Sequence, residues 1–305
     1  NFLQIKNNID EFISLKQFNK NKWFSLKDLL IDQNQIFISY TEEIENDCWN
    51  TSIINGKINY EEINFKKLFS SNKCVSKKNN IDKEFNAHQS GGRIINFDKN
   101  HILLTTGDYR DRHLAQNEDS INGKILKINI LDSSFEIISM GHRNPQGLYF
   151  DRQNKFILET EHGPMGGDEI NLISIDEVNK GNTLNYGWAI SSAGEHYGGK
   201  MKDNKNKYKK YPLYNSHSKY GFIEPLKSFV PSIGISEISK IENNTYVVSS
   251  LKDKSLYFFN LDKKKEIINL KRVEISERIR DLKFKNDKLY LFLEDSPSIG
   301  IVELN

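Results

Sequence analysis

The stretch KFILETEHGPMGGDEINLI (155–173) sets two apolar-alternating runs around a loop of His, Gly, Pro, Met, Gly, Gly, Asp and Glu. Alternation at period two marks half-buried strands. A tight hairpin needs only two turn residues, and Asn-Gly would serve. A long loop with a histidine, a proline and two carboxylates is therefore either an unusual connector or part of a site. The same plan, strand, polar loop and returning strand, recurs at HILLTTGD…GKILKINI (101–130), TYVVSSLKDKSLYFFNLD (245–262) and KLYLFLEDSPSIGIVELN (288–305). A weaker copy runs from QIFISYTEE (35–43) to INYEEINF (58–65), and leading strands at 91–98, 147–151 and 279–287 precede three of the hairpins.

Strands recurring at roughly 40–50 residues are the signature of propeller blades, each a small sheet that covers its faces only by stacking on its neighbours. The expectation is an all-β chain folded as a six-bladed β-propeller of four-stranded antiparallel blades. It forms a single domain over 1–305, with a divergent or incomplete N-terminal blade. The last strand, SIGIVELN, is expected to pair with an N-terminal strand and close the ring. A β-sandwich explains the strands but not the charged tips that follow the first strand of each pair. A short helix is possible at 7–18, and the Gly- and Lys-rich segment 192–222 reads as a long excursion between blades.

The chain of 305 residues is 37% hydrophobic, which suffices for a core. Thirteen Tyr and eighteen Phe against three Met favour strands over a helical bundle. A net charge of +2, with the signs well mixed, speaks against a nucleic-acid partner. The lysine runs at 204–210 and 262–266 read as solvated loops. No run is long and apolar enough for a membrane span. No signal peptide is visible, but the chain begins with Asn1, so a mature or trimmed form is expected. Cys48 and Cys74 cannot make a zinc site alone, and spacing does not decide between a disulfide and free thiols.

If the loops after each first strand gather at one channel mouth, the chemistry there can be enumerated. NAHQSGGR (86–93) supplies His88, a candidate general base. GHRNPQG (141–147) supplies His142, Arg143 and Asn144, and arginine offers a fork for carboxylates or an oxyanion. In EHGPMGGDE (161–169), Gly163 has no side chain and Pro164 no N–H, so the backbone carbonyls are free to face a hard cation such as calcium. Asp168 and Glu169 either ligate a metal or, as we favour, brace the loop. Lys252, Arg278 and Arg280 add positive charge. Two arginines at i and i+2 on a strand share a face, and that arrangement is costly unless an anion sits between them. The set amounts to a local anion trap with one base and a carbonyl-lined cation site.

The stretches HQSGGRIINFD, LLTTGD, GKILKINI, GHRNPQGLYFD, TEHGPMGGDEINLI, NYGW, PSIGIS, SLK and RIRD, in that order from about residue 85 onward, resemble the soluble quinoprotein glucose/sorbosone (aldose sugar) dehydrogenase family. The resemblance implies a six-bladed propeller using pyrroloquinoline quinone (PQQ) with Ca²⁺. It implies that His88 takes the proton of the sugar C1 hydroxyl and that Arg143 polarises the quinone carbonyl. Asn144, His162, Ser232, Lys252, Arg278 and Arg280 match cofactor contacts, and Gly163 and Pro164 match the carbonyl ligands of calcium. It also implies a sugar substrate, a separate electron acceptor of unknown identity, and a periplasmic or secreted location. The N-terminal third departs from the family: Lys27 and Asp28 stand where glycine is expected, and Ala87 replaces the acid that precedes the base in glucose-oxidising members. Phe229-Val230 replaces a tryptophan. Gln116 and His113 are candidates for the substrate side. The rival to a PQQ- and calcium-dependent aldose dehydrogenase is a non-catalytic propeller that binds a sugar or a protein. A metal-dependent lactonase would need acidic ligands from several blades.

Overall fold

The alternation at 155–173 is realised as two antiparallel strands, Phe156–Glu161 and Asp168–Ser174, whose register sets Glu159 opposite Asn171 and Glu161 opposite Glu169. The computed structural model describes residues 4–194, 216–242 and 244–304. It divides into two compact units, 1–138 and 139–305.

The first unit carries a sheet of Leu26–Asp32, Gln35–Glu45, Cys48–Lys57 and Lys66–Phe69, with Val75–Ser76 added to the far end of the third strand. A second sheet follows with Gly91–Asn96, His101–Thr106, Lys124–Asn129 and Phe135–Met140. Phe37, Ile53 and Phe69 from one sheet pack with Ile94, Leu104 and Leu126 from the other. Cys48 and Cys74 form a disulfide with a Cα–Cα distance of 5.4 Å, which settles what their spacing left open. A short parallel pair, Lys6–Asn7 with Glu62–Ile63, ties down the N-terminal segment. The helix expected within 7–18 is instead a 3₁₀ turn at Ile9–Glu11 followed by an α-helix at Leu15–Lys20. Ser14 and Gln17 fix that later start by capping each other's backbone N–H.

In the second unit, Ser139 and Met140 pair in parallel with Leu184 and Asn185. A third sheet holds Pro145–Asp151, Phe156–Glu161, Asp168–Ser174 and Lys227–Phe229, and a fourth holds Ile235–Glu242, Thr245–Ser250, Ser255–Leu261 and Ile267–Glu274. The fifth has three strands, Ile279–Lys285, Lys288–Leu293 and Ser298–Glu303. Period two does the packing here. Tyr246 and Val248 join Phe156, Leu158 and Ile170 of the third sheet, while Val247, between them, joins Ile279, Leu282 and Leu289 of the fifth.

The blade architecture stands, but the count does not: the described residues form five blade sheets rather than six, with three to five strands each. Part of the reason lies in the third sheet: between its third strand, which ends at Ser174, and its fourth, which begins at Lys227, the described residues add no further blade sheet. That interval contains the helix Ile175–Asn179 and the two-residue strand Leu184–Asn185. Residues 195–215, including the lysine run 204–210, lie outside the described residues. The run at 262–266 is an exposed turn closed by Asp262, as expected. Ser298–Glu303 was expected to close a ring, but its partner among the described residues is Lys288–Leu293 alone.

Candidate functional site

The loop after Glu161 turns sharply and is closely packed. A Cβ on Gly163 would lie 1.7 Å from Gly167 O, so only glycine fits. Asp168 holds the loop from below: Oδ1 accepts from Gly163 N at 3.2 Å, and Oδ2 accepts from Gly234 N at 2.7 Å and Ile235 N at 3.0 Å. Ser232 holds it from the side, its Oγ accepting from Gly166 N and Gly167 N, both at 3.1 Å. Asp168 thus braces, as expected of it, and Ser232 acts on the loop backbone.

Arg143 is buried and fixed at both ends. Its N–H donates to Glu161 Oε2 at 2.6 Å, and Nη1 donates to His162 O at 2.8 Å and Gly163 O at 2.7 Å. The guanidinium also lies over the Trp188 ring, 5.5 Å from its centroid. Asn144 O accepts from His162 N at 3.1 Å, so the two loops are stitched together. Burial first, and then Arg143 and Arg280, hold the His162 imidazole below its ordinary value against the pull of Asp168. The ring is therefore neutral, and its buried Nε2 has no hydrogen-bond partner. Pro164 O faces Ser232 Oγ at 3.4 Å.

The cationic residues are arranged differently from the expected trap. Lys252 is exposed, with its backbone packed against the segment that carries Ser232: its N–H donates to Ile233 O at 3.0 Å. Arg280 falls at a register shift between Ile279 and Asp281, a bulge that the i, i+2 rule did not anticipate. The required anion is supplied internally. Glu294 Oε2 accepts from Arg280 Nη2 at 2.7 Å and from Arg278 Nη2 at 3.5 Å.

The second unit thus brings together Arg143, Asn144, His162, Gly163, Pro164, Ser232 and Lys252, with Arg280 close enough to act on His162 and Arg278 beside it on Glu294. His88 belongs to the first unit. It is exposed, its ring packs 5.2 Å from that of Trp23, and burial, then Lys27 and Lys22, lower its pKa toward the neutral base. The departures Lys27 and Asp28 have structural roles there: Asp28 accepts from Arg93 Nη1 at 3.0 Å and Ile94 N at 2.8 Å, and Lys27 packs over Gly92. His113 pairs with Asp111 at 3.0 Å, and Gln116 ends a 3₁₀ turn.

One cluster went unread in the sequence. His142, Glu159, Glu161 and Asn171 are all buried together. The signal was available: Glu159 and Glu161 are two apart on one strand and share a face. Burial first, then Glu161, raises the Glu159 pKa well above the usual carboxylate range. Glu169 is also raised, mainly by burial, and faces His217 at 3.4 Å rather than the loop amides.

The family model for glucose/sorbosone dehydrogenases matches residues 26–302. The chain belongs to that family. It is 34% identical over 122 residues to aldose sugar dehydrogenase YliI of Escherichia coli, covering 36% of this chain and 31% of that one. It is 36% identical over 132 residues to quinoprotein glucose dehydrogenase B of Acinetobacter calcoaceticus, covering 33% and 26%. The matches span less than half the length of these curated relatives. Among solved structures, the PQQ-bound aldose sugar dehydrogenase of Streptomyces coelicolor superposes with a TM-score of 0.61 at 20% identity, covering 85% of this chain and 69% of that one. At that identity the likeness concerns the fold.

Proposed function

We propose that this family member oxidises an aldose at C1 to the lactone, using PQQ with Ca²⁺. The observation that carries the reading is the cradle of Arg143, His162 and Gly163: a guanidinium fixed on two carbonyls beside a neutral imidazole whose buried Nε2 has no hydrogen-bond partner. The donor set fits a planar tricarboxylate. Lys252, Arg278 and Arg280 would pair its carboxylates, with Asn144, Ser232 and His162 Nε2 as hydrogen-bonding neighbours. For calcium, the ligands would be the carbonyl oxygens of Gly163 and Pro164. Gly163 O already draws one cation, the guanidinium, and a carbonyl oxygen has a second lone pair.

When bound, PQQ supplies the two-electron acceptor for the hydrogen that leaves C1 as hydride. His88 would take the proton from the C1 hydroxyl oxygen, so that loss of a proton and a hydride turns C1–OH into C1=O. A neutral imidazole is the form that such a base requires. Arg143 would stabilise negative charge growing at the acceptor carbonyl. The Cys48–Cys74 disulfide suits an oxidising compartment, periplasmic or secreted. No helix of the described residues is long and apolar enough to cross a membrane.

Reconstitution with PQQ and Ca²⁺, a panel of aldoses and a reducible dye tests the proposal. Dye reduction that needs PQQ, Ca²⁺ and aldose, and that falls about 10²–10⁴-fold in His88→Ala with PQQ binding retained, is expected. PQQ binding without turnover on any sugar would favour a non-catalytic propeller that binds sugar or protein. Failure to bind PQQ would remove the cofactor assignment.

A further inference from the structure

We infer that His142, Glu159, Glu161 and Asn171 form a buried structural site for a divalent transition-metal ion, with Zn²⁺ as the fitting case. The geometry carries the inference. His142 Nδ1 lies 3.3 Å from Glu161 Oε1 and 3.8 Å from Glu159 Oε2. The amide nitrogen of Asn171 lies 3.0 Å from the same Glu159 oxygen and 3.2 Å from the same Glu161 oxygen. The three His and Glu ligand atoms fall within 4.8 Å of one another. Four donors on a tetrahedral zinc, at bonds of about 2.1 Å, stand about 3.4 Å apart. The four His–Glu and Asn–Glu edges bracket that value, and the Glu159–Glu161 edge is within 4.8 Å, so one ion can reach all four positions.

Two further observations point to a ligand rather than a self-contained hydrogen-bond cluster. Glu159 and Asn171 are fully buried, yet Glu159 Oε1 and Asn171 Oδ1 have no hydrogen-bond partner. Rotating the Asn171 amide by half a turn replaces its nitrogen with that unpartnered oxygen, completing an oxygen- and nitrogen-only donor set. His142 is held as zinc-binding histidines are. Its other nitrogen, Nε2, lies 2.8 Å from Ser139 Oγ, which can accept the ring proton and leave Nδ1 as the donor. Tyr186 stacks on the imidazole at a centroid distance of 5.0 Å and restrains its tilt. An imidazole with two carboxylates selects zinc-like ions over calcium. With four protein donors and no exposed position, the site is closed and structural rather than catalytic.

The site is distinct from the carbonyl cradle, although Glu161 serves both through its two oxygens. The test is unfolding the full chain and refolding it with excess Ca²⁺ and with or without Zn²⁺, so that burial does not block entry. Metal content is then measured after dialysis against a weak chelator. The expected result is one zinc per chain and an unfolding midpoint higher by about 5 °C. Co²⁺ in place of zinc is expected to give the intense visible absorption of a tetrahedral site. Glu159→Gln, which keeps the shape, should lose the metal and the spectrum. Asn171→Asp should bind zinc at least about 10-fold more tightly while the metal-free protein unfolds earlier. Refolded wild-type protein without stoichiometric zinc, or a folded Glu159→Gln that binds as wild type does, would overturn the inference. None of these readouts depends on PQQ or turnover.

Discussion

Replacing Asp168 by asparagine tests whether the loop 162–167 is held by one carboxylate. Its oxygens accept three backbone N–H bonds, from Gly163 on one side and from Gly234 and Ile235 on the other. Asparagine keeps one acceptor and turns the other into a donor. The less costly orientation keeps its oxygen on Gly234 and Ile235 and sets its NH₂ against Gly163 N. One bond to a charged acceptor is lost and two buried donors, Gly163 N–H and the new amide, face each other unpaired, a loss of about 3 kcal/mol. Alanine forfeits all three bonds, about 4–5 kcal/mol on the same scale. Urea unfolding should show the midpoint falling in the order wild type, Asn, Ala with unchanged slope. Amide hydrogen exchange adds the local signature: Gly163 N loses protection in both variants, Gly234 N and Ile235 N only in Ala. The reasoning is refuted if Asp168→Ala unfolds within about 0.5 kcal/mol of wild type, or if the Asn variant exposes Gly234 and Ile235 first.

Other outcomes can be checked independently. Cys48→Ser with Cys74→Ser opens a loop with a sequence separation of 26 and should cost about 3.5 kcal/mol by chain entropy, read by urea unfolding under oxidising conditions. Burial pushes the Asp151 carboxyl up, but hydrogen bonds from Lys240, Tyr246 and Asn154 outweigh it and hold the group at about 2, against 3.8 unfolded. Its contribution is therefore complete above about pH 4 and lost as pH falls through about 2. Asp151→Asn should flatten that part of the acid-unfolding curve. Lys124 is fully buried with Nζ donating to the carbonyls of Leu114, Ala115 and Asn122, so Lys124→Met should destabilise by about 3 kcal/mol in thermal or urea unfolding. Glu294→Gln removes the anion that occupies Arg278 and Arg280 and should tighten binding of a tricarboxylate about 3-fold at low salt, measured by fluorescence titration.

The strands at 155–173 and 245–262 were legible because period-two burial writes itself into the order of residues. The bracing role of Asp168 was legible because a carboxylate beside two glycines meets backbone amides. Three things were not. The number of blades depends on where the fourth strand of the third sheet returns, and Lys227–Phe229 is too short for period two to announce it. The disulfide depends on a Cα separation that register brings about: Cys48 lies opposite Ser76 in the sheet, which carries Cys74 close by. Glu294 as partner of the two arginines depends on the pairing of 279–285 with 288–293 and on the bulge at Arg280, and a bulge shifts every facing by one.

The late return of Lys227–Phe229 also has a consequence for the nascent chain. Translation at about 5–20 residues per second leaves Asp168–Ser174 without its outer neighbour for about 3–10 s after that strand emerges. During that interval an edge containing Ile170, Leu172 and Ile173 is open to pairing with other chains. Asp168 and Glu169 stand at the first two positions of the same strand, where charge discourages edge-to-edge association. The acidic pair, of which Asp168 braces the mature loop, is thus positioned to act earlier as a gatekeeper against aggregation on the ribosome.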